Sequence, residues 1–149
     1  MQLSGRHTAK ATSAKVWQVL TNTNTLARII PGISKLEKTG ENSYKSFSEI
    51  KLGPINSTFS GNLQMENIDA EKGFTLKVQQ NSKMGNVNAS IKIGLSKLIE
   101  NDVEVNFDGE VKLSGLMATM GNRVVGSISN TLTKQFFENL DRELSVQSV

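Results

Sequence analysis

The chain has 149 residues, no cysteine, one histidine and a formal net charge of +3. That length suits a single unit, residues 1–149, able to bury about 70% of the surface its unfolded chain exposes. The missing cysteines remove disulfides, thiolate catalysis and Cys-type metal sites, and fit a reducing, cytoplasmic setting. The charge is mild and scattered, with guanidinium groups only at Arg6, Arg28, Arg123 and Arg142. No basic stripe with stacking aromatics is present, so nucleic-acid binding is not expected. No apolar run approaches 18 residues and "MQLSGRHTAKATSAKVW" lacks a signal-peptide core, so any membrane contact is expected to be peripheral.

"MQLSGRHTA" reads as a first strand. Ser13 is the expected N-cap of a short helix, "AKVWQVL", with Val16, Trp17 and Leu20 on one face. A second short helix, "TLARII", stops at Pro31–Gly32. The pattern then switches to period two through "ISKLEK", "SYKSFSEIKL", "INSTFSGNLQMENI", "FTLKVQQ", "VNASIKIGL" and "VEVNFDGEVKL". One face collects Ile55, Phe59, Leu63 and Met65, then Phe74, Leu76 and Val78, then Val87, Ala89, Ile91, Ile93 and Leu95. It ends with Val103, Val105, Phe107, Val111 and Leu113, while Lys92, Glu104, Asp108 and Glu110 point the other way. Short polar turns between runs make consecutive strands antiparallel neighbours. The last segment, "LMATMGNRVVGSISNTLTKQFFENLDREL", reads as one long helix with Met117, Met120, Val124, Ile128, Leu132, Phe136 and Leu140 along its stripe.

A long sheet with one apolar face needs a cover, and the long helix with the short pair is the available one. The predicted class is α+β: a curved antiparallel sheet wrapped around a C-terminal helix, with Gly61, Gly94 and Gly109 as places where the long strands can bend or bulge. Small residues on the inner face (Ser57, Gly61, Ala89, Gly109) admit two readings: close helix–sheet packing, or an apolar cavity. If a cavity, its candidate lining is Phe59, Leu63, Leu76, Ala89, Ile91, Val105 and Phe107 from the sheet, with Met117, Met120, Val124 and Ile128 from the helix. Tyr44 and Arg123 are candidate polar handles, for a ligand carbonyl and for a polar head group. The rival readings are core packing for Tyr44 and a surface ion pair for Arg123.

The case for catalysis is thin. No carboxylate pair falls on the inward register, His7 stands alone, and no phosphate loop or dinucleotide fingerprint occurs, so no catalytic residue, metal or cofactor is expected. An enzyme of cyclase or hydrolase type remains the alternative and would need Glu49, Glu66 or Asp69 brought inward.

Three stretches carry a family likeness: "VWQVLTNTNTLARIIPGISKLEK", "KLGPINSTFSGNLQMENID" and "VKLSGLMATMGNRVVGSISNTLTKQFFENL". The chain resembles the carbon monoxide dehydrogenase G-subunit (CoxG) family, in the helix-grip superfamily of pollen allergens, lipid-transfer domains and polyketide cyclases. Gly115, Gly121, Arg123, Phe136 and Phe137 stand at matching positions of its closing signature. The resemblance implies a hydrophobic pocket under the long helix that holds a lipid, isoprenoid or quinone-like ligand. It also implies an accessory role, in assembly or membrane recruitment, beside a molybdenum-containing carbon monoxide dehydrogenase or related hydroxylase. Some relatives continue into a tail or membrane anchor; this sequence ends at Val149, and anchoring by such a tail is not expected of it.

Overall fold

A computed structural model describes residues 1–147. Strand β1 (Gln2–Ala9) is followed by helices α1 (Ser13–Thr21) and α2 (Thr23–Ile29). Six strands come next: β2 (Ile33–Gly40), β3 (Ser43–Leu52), β4 (Ile55–Asp69), β5 (Gly73–Ser82), β6 (Gly85–Ile99) and β7 (Asp102–Leu113). A 3₁₀ turn (Gly115–Thr119) then leads into α3 (Asn122–Gln147). The seven strands form one antiparallel sheet in the order β1-β7-β6-β5-β4-β3-β2. This is the helix-grip architecture, and the predicted inward register is the observed one: Ile55, Phe59, Leu63, Met65, Phe74, Val103 and Val105 are all buried.

Side-chain caps set the short helices. Thr12, not Ser13, caps α1, its Oγ1 accepting from the Lys15 amide at 3.3 Å; the Ser13 hydroxyl instead donates to Glu71. Asn22 caps α2 by accepting from the Asn24 and Thr25 amides, which allows the two helices to abut. Val16, Val19 and Leu20 form the buried face of α1, and Trp17 lies at its margin, edge-on to Phe74. Gly32, at φ +77°, turns the chain from α2 into the sheet.

Two expectations need correcting. The pairing runs without a break through Gly61, Gly94 and Gly109; the irregularities of the long strands fall at Glu66–Asp69 and Lys97–Ile99 instead. At Gly61 a Cβ would run into the Gln79 carbonyl oxygen, and at Gly109 it would stand 2.5 Å from that of Ser90. These glycines let neighbouring backbones approach rather than bulge.

The long helix also begins later than periodicity alone suggests. Met117 lies in the 3₁₀ turn and Met120 just after it, and regular α-structure starts only at Asn122, beyond Gly121. From there α3 crosses the concave face. Its second half is fixed at several points. The Arg28 guanidinium donates to both Glu143 carboxylate oxygens, and these bonds raise the Arg28 pKa above its ordinary value. Asn139 donates to the Ile29 carbonyl. His7 stacks on Phe137 at 4.7 Å and its Nε2 lies 2.8 Å from Asp141 Oδ1. Leu140 and Leu144 are buried there against the α1–α2 cluster.

Candidate functional site

The apolar interior is divided. One cluster joins α1, α2, the end of α3 and the adjoining sheet, while a smaller one gathers Ile55, Phe59 and Met117 with Ile50, Met84, Val87, Leu113, Met120 and Ile128 around it. A cavity of about 400 Å³ is lined by members of both. That volume lies in the range of small-molecule pockets, roughly 300–1,000 Å³.

Period-two alternation aims the sheet residues at this space. Phe59 and Leu63 come from β4, Leu76 and Val78 from β5, Val87, Ala89, Ile91 and Ile93 from β6, and Val105, Phe107, Val111 and Leu113 from β7. The roof is Met117 and Met120 from the 3₁₀ segment, then Val125, Ile128, Ser129, Leu132, Thr133, Phe136 and Phe137 from α3. Ile128, Leu132 and Phe136 remain only half-buried although they face inward, because what they face is empty space.

Ten of the thirteen expected residues meet around this cavity: Phe59, Leu63, Leu76, Ala89, Ile91, Val105, Phe107, Met117, Met120 and Ile128. Tyr44, Arg123 and Val124 do not. Tyr44 points to the concave face but lies within the solid cluster, 3% exposed; along β3 the lining consists of Ser46, Ser48 and Ile50. Four-residue steps back from Ile128 put Val124 on the stripe, but each such step overshoots a full turn by about 40°. The drift carries Val124 outward to 37% exposure and brings Val125 into the lining. Arg123, two positions and about 200° from Val125, is exposed.

Five polar lining residues are absent from the expected set: Ser129 and Thr133 on α3, and Ser46, Ser48 and Gln80 on the sheet. The alternation does contain the signal of those on the sheet: Phe74, Leu76 and Val78 continue at the next alternate position to Gln80, and Tyr44 continues to Ser46 and Ser48. Gln80 Nε2 donates to Ser46 Oγ at 2.8 Å.

No Asp, Glu, His, Lys or Arg lines the cavity. Glu49 faces away and pairs with Lys51, and Glu66 and Asp69 lie outside the lining as well. Among the described residues no cluster of three or more His, Asp or Glu is placed to hold a metal ion. The site can therefore enclose and orient an apolar molecule, with hydroxyl and amide groups as its polar contacts.

Fold and site together define a START-like helix-grip protein built around an apolar chamber. A START superfamily protein from Mycobacterium smegmatis superposes with a TM-score of 0.80 at 8% identity, over 98% of both chains. The Zhui aromatase/cyclase of a Streptomyces species gives 0.72 at 12%, covering 100% of this chain and 96% of the other. A conserved protein from Geobacillus kaustophilus gives 0.94 at 23%, covering 97% and 95%. No match was found among curated protein sequences. The chain belongs to the carbon monoxide dehydrogenase G-subunit (CoxG) family, whose model matches residues 5–145.

Proposed function

We propose that this protein is a non-enzymatic carrier of a hydrophobic small molecule, a lipid, isoprenoid or quinone-like compound. In this reading it serves as an accessory protein to a molybdenum-containing carbon monoxide dehydrogenase or related hydroxylase, assisting its assembly or its recruitment to the membrane. The observation that carries the reading is an apolar chamber of about 400 Å³ with no titratable side chain in its wall. Burying roughly 300 Å² of ligand surface at about 25 cal/mol per Å² is worth about 7 kcal/mol before entropic costs, so a larger buried area or polar contacts must supply the rest of a micromolar affinity, about 8 kcal/mol net.

The family supports the partner assignment. Membrane delivery in this reading is peripheral, since no helix of the described residues is long and apolar enough to cross a bilayer. The cyclase alternative shares the fold with the Streptomyces protein. It is disfavoured because general acid–base chemistry needs a titratable group within hydrogen-bond reach of the substrate, and no side chain of the wall is titratable.

Solvent extraction of the purified protein, followed by mass spectrometry, tests the carrier reading. The expected result is one class of apolar molecule at near-stoichiometric yield, regained from a total lipid extract after stripping. Failure of both recovery and uptake would contradict it. Liposome flotation, and maturation of the hydroxylase with and without this protein, test the recruitment and assembly roles.

A further inference from the structure

We propose that the Ser46–Gln80 pair is the polar anchor of the chamber, and that Gln80 Oε1 accepts a hydrogen bond from a neutral hydroxyl group on the ligand. The proposal rests on the carrier reading above and specifies the chemistry of the molecule carried.

Ser46, Gly61 and Gln80 form one cross-strand row on the concave face: Ser46 pairs with Gly61, and Gly61 with Gln80. Adjacent strands lie about 4.8 Å apart, so residues two strands apart in one row begin nearly 10 Å from each other. Gln80 nevertheless reaches over Gly61 to place Nε2 2.8 Å from Ser46 Oγ. The row needs glycine at its centre, since a Cβ there would stand 2.8 Å from Gln80 Cα and closer still to the Gln79 carbonyl oxygen, forcing β4 and β5 apart.

Both partners are enclosed, Ser46 at 1% exposure and Gln80 at 9%, and both line the chamber. The bond to Ser46 engages the amide through its nitrogen. Its other end is not satisfied: Gln80 Oε1 is buried with no hydrogen-bond partner among the described residues. Buried carbonyl oxygens are nearly always paired, because an unpaired one forfeits its hydration without return. Gln80 lines the apolar space, and a small turn of its side chain would bring this unpaired acceptor to a donor that arrives with the ligand.

The rest of the wall narrows the class of donor. No carboxylate lines the wall to balance an ammonium group, and the cation on a lining residue, the Met1 α-ammonium, is exposed and bonded to the Val111 carbonyl, so a charged head beside the buried Gln80 amide would be desolvated without a counter-charge. At Oε1 itself an ether, ester or ketone offers only acceptors and would set oxygen against oxygen, so a quinone-like guest would meet this atom in its quinol form. A neutral alcohol or phenol on a hydrophobic body satisfies Oε1 and leaves no group of its own uncompensated.

The test compares 4-octylphenol with 4-octylanisole, which differ at the oxygen by a proton against a methyl group, on the wild type and on Gln80→Leu. The wild type is expected to bind the phenol about tenfold more tightly, and Gln80→Leu to bring the two within about twofold without weakening the ether. Thermal unfolding confirms the variant's fold, and Gln80→Met carries the same comparison should the leucine variant misfold. Three results overturn the proposal: equal affinities in the wild type, a phenol preference that survives both substitutions, or an ether preference lost on substitution. The last would mean that the amide presents N–H to the chamber. Tight but equal binding of both compounds removes only the anchor, whereas binding of neither removes the carrier reading with it.

Discussion

The two halves of α3 cover the same sheet and do different things. The second half lies on a filled interior: Leu140 is 0% exposed, Leu144 3%, and their neighbours Val16, Val19, Leu20 and Ile29 are equally enclosed. Arg28, Asn139 and His7 add polar ties on the same side. The first half roofs the chamber. Its inward residues there include Ser129 and Thr133, and its inward apolar side chains meet open space. One end of the molecule supplies stability while the other keeps volume unfilled, and a chain that must hold a guest without collapsing around nothing needs both.

Truncations on the two sides should separate these roles most strongly. Leu140→Ala removes a fully buried side chain from the solid end, and a loss of about 2–5 kcal/mol is expected, read as a fall in Tm of roughly 5–20 °C. Ile128→Ala, which enlarges a space already present, should cost about 1 kcal/mol while altering ligand affinity. Equal costs at the two sites would mean that the hollow is closed in solution.

Gly61→Ala probes the seam between the halves. The new methyl group meets backbone, not a flexible side chain, so the sheet itself must shift. A loss of about 1–3 kcal/mol is expected, together with a weakened phenol preference as the Ser46–Gln80 bond is disturbed. Calorimetry and the paired-ligand titration read the two effects.

The smallest expected effect lies on the outer face. The Lys35 ammonium, 2.8 Å from Glu37, holds that carboxyl below its ordinary pKa. A depressed pKa in the folded state stabilises above the unfolded value and is lost as pH falls through the folded one. Glu37→Gln should therefore lower Tm by no more than about 1 °C at neutral pH. The difference should vanish in acid below the usual glutamate range, and constancy across that range would show the pair to be inert.

Most of the fold is legible because period-two alternation does not depend on context: once Phe59 is inward, Leu63 and Met65 must be as well. The helix start is not legible, since Met117 and Met120 continue the helical spacing while Gly115–Thr119 form a 3₁₀ turn held by tertiary bonds. The Met117 amide donates to the Met84 carbonyl, and the Asn86 amide to Ser114 Oγ. Drift of the helical repeat displaces Val124 from its expected place, and Arg123 with it. Gln80 and Ser46 lie on the correct alternate positions, but polar residues at the end of an apolar run read as the strand leaving the core. Only their cross-strand meeting over Gly61 shows that they remain inside. That meeting joins residues 34 apart in the chain, and local pattern carries no record of it.

Titration with the uncharged fluorophore N-phenyl-1-naphthylamine, on the wild type and on Ala89→Phe, addresses the chamber most directly. The wild type should bind one equivalent. Ala89→Phe, which projects a ring into the space beside Ile91 and Leu76, should bind at least about tenfold more weakly with Tm unchanged or raised. Undiminished binding in the filled variant, or no saturable binding in the wild type, would contradict the account.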